Sequence, residues 1–404
     1  MGTDVNVAIV GAGQAGLATS RHLKQAGIEH VVLEAGRIAE TWRSRRWDSF
    51  CLVTPNWTVQ LPGGRYAGPE PDGFMGRDEL VSHFERWADS FSPPIRDRCA
   101  VSALDVEPDS FVLATAGGPV RARSVVVASG GYQRPFIPPA AGSMPKGIHQ
   151  LLAEEYRHER ALPPGAILVV GSGQTGCQLA EELHEAGRDV FLACGRAPWA
   201  PRRMGGHDLV WWMVESGFWS RTIAQLPSPA ARLLSNPLAT GHGGGHDMHY
   251  RTLHAGGVEL LGRLTGVEDG VAHFADDLPA SIEFGDNLAR TFMRWVEAFC
   301  TTRGLSVPWE VPGPPGFGSR TSLDLRKEGI TNVIWTSGYR PDYGWVHAPV
   351  FDAMGFPIQT DGRSDVPGLY FMGVHFQRKA QSAVLYGVGE DAEVVAEHIS
   401  EHRS

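Results

Sequence analysis

Two glycine-rich stretches have the residue types and the spacing that bind a ligand with phosphate groups. In the first, Gly11, Gly13 and Gly16 follow a short apolar run, and Glu34 ends a second apolar run. Gly11 permits a tight turn, Gly13 lets a pyrophosphate approach the backbone, and Gly16 lets the following helix pack closely. The helix N-terminus attracts an anion, and Glu34 would bind two ribose hydroxyls. We therefore predict a dinucleotide site formed by Gly11, Gly13, Gln14, Ala15, Gly16, Glu34 and Ala35.

The same pattern returns 160 residues along the chain, but the position that matches Glu34 holds Cys194, and Arg196 follows. A carboxylate there would repel a 2′-phosphate by up to roughly 4 kcal/mol at about 4 Å, whereas a guanidinium would bind it. The second site is therefore predicted to take NADP, with Arg202 and Arg203 as further cations. Its residues are Gly171, Ser172, Gly173, Gln174, Thr175, Gly176 and Arg196.

A segment rich in arginine and tryptophan follows the first unit and leads to a single amide. Trp42 and Trp47 would lie against a flat ligand, and Arg43 would meet pyrophosphate oxygens. Asn56 comes after an apolar, strand-like run at 50–53 and presents a neutral donor and acceptor. The alternatives are that the tryptophans pack in the core and that Asn56 holds a turn.

Two further segments have side chains that could form a site. Residues 241–249 hold three histidines and Asp247 among glycines, which invites a metal interpretation. We predict no metal there, because a glycine run is not preorganised and no helical pair of histidines comes with a flanking acid. The aromatic residues of 199–222 either line a substrate pocket or pack in a buried helix, and packing is the more common role.

Hydrophobic periodicity predicts the elements that hold these residues. Each glycine-rich stretch lies between a buried strand and a helix, and a second strand follows, which is the β-α-β unit of a nucleotide-binding domain. Further predicted elements are a helix over 77–91 capped by Asp78, a hairpin over 101–106 and 111–114, a buried strand over 122–128 that ends near Gly130, strands over 258–261, 271–274 and 333–335, a helix around 290–299, a strand before Gly373 and a closing helix over 383–399.

These elements predict an α/β protein with two Rossmann-like dinucleotide-binding domains, the second inserted into the first. The predicted first domain covers 1–160 and 320–404, and the inserted domain covers 161–319. With 404 residues, of which 42% are hydrophobic, the chain can bury a large core.

Charge and cysteine content exclude several classes of function. The formal charge is −9 and no long basic run is present, so nucleic acid is not an expected partner. The start resembles no signal peptide and no apolar run reaches about 18 residues, so we expect a cytoplasmic protein without a membrane segment. The five cysteines, at 51, 99, 177, 194 and 300, include no closely spaced pair, which argues against a redox dithiol or a zinc knuckle.

Taken together, the residues resemble the flavin-containing monooxygenase family of flavoproteins over nearly the whole chain. The likeness rests on both glycine motifs, Glu34, Thr41-Trp42, the turn at 128–132, Arg196, the segment 337–341 and Gly373. In that family the first unit binds FAD and the second binds NADPH. The resemblance thus adds Thr41, Trp42, Arg43, Val101, Gly130 and Gly373 to the cofactor-binding residues, and it makes Asn56 the catalytic amide beside the flavin C4a–N5 edge.

The resemblance implies an NADPH- and O₂-dependent monooxygenase that inserts one oxygen atom into a small organic substrate through a flavin C4a-hydroperoxide. N- or S-oxygenation is favoured over Baeyer–Villiger oxidation. The family fingerprint for the latter has a phenylalanine and a glycine before its histidine, and the places before His149 hold Ser143 and Pro145 instead. An alternative is an NADPH-dependent flavin oxidoreductase that passes electrons to another acceptor. A homodimer is compatible with either function.

Overall fold

The computed structural model describes residues 3–233, 236–307, 309–310 and 312–402; Met1 and Gly2, the start of the segment predicted to be no signal peptide, lie outside them. In chain order the strands are β1 (Thr3–Val10), β2 (His30–Leu33), β3 (Gln60–Leu61), β4 (Gly64–Arg65), β5 (Ile95–Arg96), β6 (Val101–Glu107), β7 (Ser110–Thr115), β8 (Val120–Val127), β9 (Arg134–Pro135), β10 (His149–Leu152), β11 (Ala166–Val170), β12 (Val190–Ala193), β13 (Arg203–Met204), β14 (His207–Asp208), β15 (Glu259–Leu261), β16 (Leu264–Glu268), β17 (Val271–Phe274), β18 (Ser322–Asp324), β19 (Ile330–Trp335), β20 (Tyr339–Arg340), β21 (Val346–His347) and β22 (Leu369–Phe371).

The α-helices are α1 (Gln14–Gln25), α2 (Glu40–Ser44), α3 (Arg77–Phe91), α4 (Gln174–Glu185), α5 (Leu209–Glu215), α6 (Tyr250–Gly256), α7 (Leu278–Thr301) and α8 (Val388–His402). Short 3₁₀ helices span Asn56–Thr58, Pro139–Ser143, Glu159–Ala161, Phe218–Ser220, Ile223–Gln225, Pro229–Leu233 and His242–Gly244. In the described part of the chain, no helix combines the length and the apolar character needed to cross a bilayer.

The larger sheet brings the first glycine motif together with segments from both ends of the chain. Its order is β21-β6-β7-β8-β1-β2-β5, with β22 beside β8. Strands β2, β1, β8 and β22 run parallel, so their carboxyl ends meet at one edge. Gly11, Glu34, Gly130 and Gly373 follow these four strands and therefore lie along that edge.

The second sheet has the order β10-β19-β11-β12-β15, and its pairs are all parallel. The repeat seen in the sequence is also a structural repeat, since α4 and β12 lie 160 residues after α1 and β2. The two β-α-β units are buried: Ile9 and Val32 in the first, and Ile167 and Leu192 in the second, are fully excluded from solvent. Each such side chain contributes roughly 1.5–3 kcal/mol by burial.

The strand pairing divides the chain differently from the predicted domain boundaries. Strand β10 lies before 160 and strand β19 lies after 320, yet both pair within the second sheet, β10 with β19 and β19 with β11. The chain passes between the sheets at β9 and β20, which pair with each other. The prolines and glycine at 162–165 suggested a domain boundary, but they lie in a surface segment inside the second domain. The pairing of distant parallel strands leaves no local signal in the sequence.

Several element predictions are also corrected. Residues 50–53 form no strand, and only an isolated bridge joins Cys51 to Gly76. The cap of helix α3 is Gly76, which has an extended backbone, and not Asp78 as predicted. Helix α7 is longer than predicted, and the closing helix begins at Val388.

Two buried titratable groups have opposite effects on how the free energy of unfolding changes with pH. Burial raises the pKa of Asp391, on α8, to about 6, although Arg378 lies 3.4 Å away. Burial lowers the pKa of His249, whose ring lies 4.4 Å from that of Trp199, to about 4. Between about pH 4 and 6 the folded protein holds a proton on Asp391 that the unfolded chain releases, and it lacks a proton on His249 that the unfolded chain holds.

Substitution should separate these two effects. A carboxyl group with a raised pKa stabilises the folded state less as pH rises, and Asp391→Asn removes this loss. Between about pH 4 and 6 the free energy of unfolding of Asp391→Asn should therefore rise by about 3 kcal/mol relative to that of the unsubstituted protein. His249→Gln should lose about 3 kcal/mol over the same range, because a lowered imidazole pKa stabilises the fold more as pH rises. Urea unfolding at several pH values measures both, and parallel pH profiles for the three proteins would contradict the assignment.

Candidate functional site

The first glycine loop contains two glycines that the fold itself requires. Gly11 has a φ of +110°, and a Cβ there would lie 2.5 Å from the carbonyl oxygen of Ala128 on the neighbouring strand. A Cβ on Gly16 would lie 1.9 Å from the carbonyl oxygen of Gly11. Neither position has room for a side chain, because the backbone after β8 lies against Gly11 and helix α1 lies against the end of β1.

Gly13 differs, because nothing in the chain requires a glycine there. Its φ is −83°, which any residue can adopt, and a Cβ would meet no atom within 4 Å. No side chain caps the N-terminus of α1, so no cap occupies the first N–H groups of this helix. This arrangement fits a pyrophosphate held on backbone N–H groups.

Glu34 joins the glycine loop to the segment after β2. Its two carboxylate oxygens accept hydrogen bonds from the backbone N–H groups of Ala12, at 2.6 Å, and Gly36, at 2.7 Å. Each oxygen keeps a further lone pair for a donor. The geometry therefore fits a ribose whose hydroxyls donate to Glu34.

The other residues predicted for the first site lie around this loop. Gln14 donates to the carbonyl oxygen of Ala383 at 2.9 Å and accepts from Trp42 Nε1 at 3.2 Å, so it ties the return segment and Trp42 to the loop. Gly373, with a φ of +74°, packs against Ala15. The remaining positions are Ala35 and Thr41, which are exposed, Gly130, which has a φ of +88° and open space beside it, and Val101, which begins β6.

Two residues expected at the ligand are engaged elsewhere. Trp47 is buried and packs edge to face against Phe50, with 5.1 Å between ring centroids, so it is a core residue. Arg43 donates to Glu85 on α3 at 2.6 Å and forms an ion pair with it, and its contact with a pyrophosphate stays a prediction.

The second glycine loop repeats the geometry of the first. A Cβ on Gly171 would lie 2.6 Å from the carbonyl oxygen of Thr336, one on Gly176 would lie 1.9 Å from that of Gly171, and one on Gly173 would meet nothing. Gln174 accepts from the backbone N–H of Ala239 at 3.0 Å and donates to its carbonyl oxygen. Thr175 lies half-buried in the first turn of α4.

The end of β12 differs from the end of β2 in charge. Cys194 is buried, and burial raises the pKa of its thiol, so it is uncharged. The hydroxyl of Ser172, a residue predicted for the cofactor site, lies 2.6 Å from the Tyr250 hydroxyl and accepts from the backbone N–H of Gly195. Arg196 is exposed, with its guanidinium 5.6 Å from the Phe284 ring.

The structure moves Arg202 from the predicted phosphate site to the contact between the domains. Its side chain is 2% exposed, lies 2.9 Å from Asp208, and donates to the carbonyl oxygen of Val53 at 2.8 Å. Burial lowers the pKa of Arg202 and raises that of Asp208. Arg203 donates to the carbonyl oxygen of Gly244 at 2.8 Å, so neither arginine lies free beside Arg196.

Asn56 is buried in the loop that follows Val53. Its amide nitrogen donates to the carbonyl oxygen of Glu70 at 2.9 Å, and its amide oxygen accepts from the backbone N–H of Met75 at 2.7 Å. These bonds shape the loop, and one amide N–H remains for another acceptor. Its role beside a flavin stays a prediction.

The histidines of segment 241–249 pair with acids on α4. His242 lies 2.9 Å from Glu185, and His246 lies 2.7 Å from Glu181. His249 caps α6 through its bond to the backbone N–H of Thr252. These pairings give the histidines structural contacts and hold the glycine-rich segment against the helix of the second glycine loop.

Comparison with known proteins identifies the family. A family model described as pyridine nucleotide-disulphide oxidoreductase matches residues 8–207. The chain is 30% identical over 401 residues to the uncharacterized CzcO-like oxidoreductase of Geobacillus kaustophilus. The alignment covers 98% of this chain and 99% of that protein. The chain belongs to the CzcO-like oxidoreductases. It is therefore an oxidoreductase, and the match extends over nearly its whole length.

Solved structures show the same fold. A flavin-containing monooxygenase from Stenotrophomonas maltophilia is 18% identical with a TM-score of 0.66, and both chains are fully covered. An ornithine N-hydroxylase from Kutzneria sp. 744, in complex with reduced FAD, NADP⁺ and L-ornithine, is 13% identical with a TM-score of 0.65, covering 99% of this chain and 100% of that one. The predicted fold class and the resemblance to flavin-containing monooxygenases are confirmed.

The contrast between the glycines can be tested by alanine substitution. Gly13→Ala and Gly173→Ala place a methyl group in open space, so the unfolding free energy of each apoprotein should stay within about 1 kcal/mol of the unsubstituted protein, while dinucleotide binding at the altered site is lost. Gly16→Ala and Gly176→Ala should cost about 3 kcal/mol or more, because the methyl overlaps a carbonyl oxygen. Urea unfolding measures the four variants, and equal destabilisation of all four would contradict this division.

Proposed function

We propose that this oxidoreductase is an FAD-containing, NADPH-dependent monooxygenase that inserts one oxygen atom into a small organic substrate. The observation that carries the proposal is the pair of matching glycine loops, each with one glycine that faces open space, which differ in charge at the end of the second strand. Glu34 suits the ribose of FAD, while uncharged Cys194 and exposed Arg196 suit the 2′-phosphate of NADPH. The sheet with β1 and β8 is the FAD-binding domain, and the sheet with β11 and β12 is the NADPH-binding domain.

When bound, FAD would accept a hydride from NADPH and activate O₂. The chain itself holds the two nucleotide sites in place. Gln14 ties the first loop to Ala383 of the return segment, and Gln174 ties the second loop to Ala239. Arg202 joins the second domain to the loop of Asn56 through Val53. These contacts bring the two sites and the Asn56 loop into one assembly.

An aromatic cluster from three parts of the chain supports oxygenation. Tyr386 of the return segment lies 6.1 Å from Trp57, which follows Asn56, and 5.9 Å from Trp219 of the second domain, measured between ring centroids. Backbone bonds from Ala380 to Arg221 and from Gln381 to Trp219 fix these segments together. Aromatic surface here would keep water from the Asn56 loop, which an oxygen-inserting site needs.

The main competing function is an NADPH-dependent flavin oxidoreductase that transfers electrons without inserting oxygen. Anaerobic reduction of the purified protein by NADPH, followed by mixing with O₂ and a candidate amine or sulfide, tests the two. A monooxygenase consumes O₂ in proportion to oxygenated product. NADPH oxidation that forms no oxygenated product from any such substrate would favour the reductase.

The nucleotide preference should depend on Arg196. Arg196→Glu should raise the KM for NADPH roughly ten- to a hundredfold and leave the KM for NADH near its original value, because a charge-assisted bond to phosphate is replaced by repulsion. Steady-state kinetics with both nucleotides measure this. Arg303→Glu, the same charge change on an exposed residue after α7, serves as the control, and equal use of both nucleotides by the unsubstituted protein would refute the assignment.

Coupling of NADPH oxidation to product should depend on the free amide N–H of Asn56. Asn56→Leu should lower product formation by some hundred- to thousandfold, since one well-placed donor in a water-poor site is worth about 3 to 4 kcal/mol. NADPH oxidation should continue, with hydrogen peroxide as the product.

A matched control separates this chemistry from loop stability. Asn56→Leu also leaves the Glu70 carbonyl and the Met75 N–H unpaired, which costs stability. Thr58→Val removes a buried bond of the same loop, the 2.7 Å bond to the Pro55 carbonyl oxygen, and keeps the amide. Thr58→Val should remain coupled, and coupled turnover by Asn56→Leu would remove Asn56 from the mechanism.

A further inference from the structure

The two repeated units join the glycine loop to the end of the second strand in different ways. In the first unit a carboxylate makes the connection, because Glu34 accepts from Ala12 in the glycine loop and from Gly36 after β2. The equivalent connection in the second unit contains no acid, since position 194 holds a cysteine. A different set of groups must therefore hold that loop.

Those groups form a closed ring of hydrogen bonds. The backbone N–H of Gly195 donates to Ser172 Oγ at 2.8 Å, the two hydroxyls of Ser172 and Tyr250 lie 2.6 Å apart, and the Tyr250 hydroxyl donates to the carbonyl oxygen of Gly195 at 2.6 Å. With Ser172 as the donor to Tyr250, every group in the ring has a partner. Both side chains are buried, and burial raises the pKa of the Tyr250 hydroxyl, so the ring is neutral.

We propose that Ser172 and Tyr250 are positioning residues that set the nucleotide preference of the second site, a proposal that rests on the NADPH site assigned above. The ring replaces the structural contact of Glu34 without a negative charge. It fixes both polar groups of Gly195, the residue directly before Arg196. The backbone that carries Arg196 is thus held in place for a 2′-phosphate, and no carboxylate repels that phosphate.

The residue types at three distant positions are linked by this geometry. The first unit has Ala12, which has no hydroxyl, where the second has Ser172, so only the second can bond the strand end from a side chain of its glycine loop. Tyr250 is the first residue of α6, and His249 caps that helix, so the hydroxyl position is set by a helix terminus. A serine at 172 and a tyrosine at 250 together make an acid at 194 unnecessary.

Direct binding of NADP⁺ and NAD⁺ to the purified full-length flavoprotein, measured by isothermal titration calorimetry, tests the proposal without turnover. Tyr250→Phe should raise the Kd for NADP⁺ about three- to tenfold, as expected for the loss of one buried hydrogen bond, and leave the Kd for NAD⁺ within about twofold. Tyr156→Phe is the matched control, because it removes another buried tyrosine hydroxyl from the same domain, bonded to Glu182 of α4 at 2.8 Å. It should change neither constant.

A second variant covers the case in which Tyr250→Phe does not fold. Ser172→Ala with Cys194→Glu rebuilds the connection of the first unit, and it should bind NAD⁺ more tightly than NADP⁺. An unchanged ratio of the two constants in Tyr250→Phe, or retained NADP⁺ preference in the double variant, would overturn the proposal. Failure of the unsubstituted protein to oxygenate any substrate would contradict the proposed function and leave this binding result standing.

Discussion

The structure depends on how closely the helix after each glycine motif approaches the strand before it. At Gly16 and Gly176 the approach is so close that a single methyl group would overlap a carbonyl oxygen at 1.9 Å. The N-termini of α1 and α4, which no side chain caps, then lie beside Gly13 and Gly173, where an added Cβ would meet no atom within 4 Å. Two anion sites therefore follow from backbone packing, before any charged side chain contributes.

Charge at the strand end then makes the two similar loops different. Glu34 brings a carboxylate to the first loop, whereas a neutral ring through Ser172 and Tyr250 closes the second. The two arrangements connect the glycine loop to the strand end through different backbone groups, the N–H groups of Ala12 and Gly36 in the first unit and both polar groups of Gly195 in the second. The choice between them acts on the ligand, because a carboxylate favours ribose hydroxyls and opposes a 2′-phosphate.

Local patterns in the sequence predicted local structure well. The helices after the two glycine motifs, the strand at 30–33 and the helix at 77–91 follow from periodicity and turn residues, and all four are confirmed. Contacts between distant residues left no such pattern. The pairing of β10 with β19, the burial of Arg202 and the bond from Tyr250 to Ser172, 78 residues apart, are set by tertiary packing. An arginine beside a phosphate site and one buried between domains look alike in sequence.

Burial of Arg202 also bears on how the two domains move. The chain crosses between the sheets only through the paired strands β9 and β20 in the described residues, a narrow connection that would by itself permit rotation. Arg202, however, bonds Val53 across the domain contact while paired with Asp208. Separating the domains would break the bond from the Arg202 guanidinium to the Val53 carbonyl oxygen, and a hydrogen bond to a charged group is worth about 1.5–3 kcal/mol. Because the Asn56 loop begins just after Val53, the bond from Arg202 to Val53, more than the connecting strands, fixes the second domain against that loop.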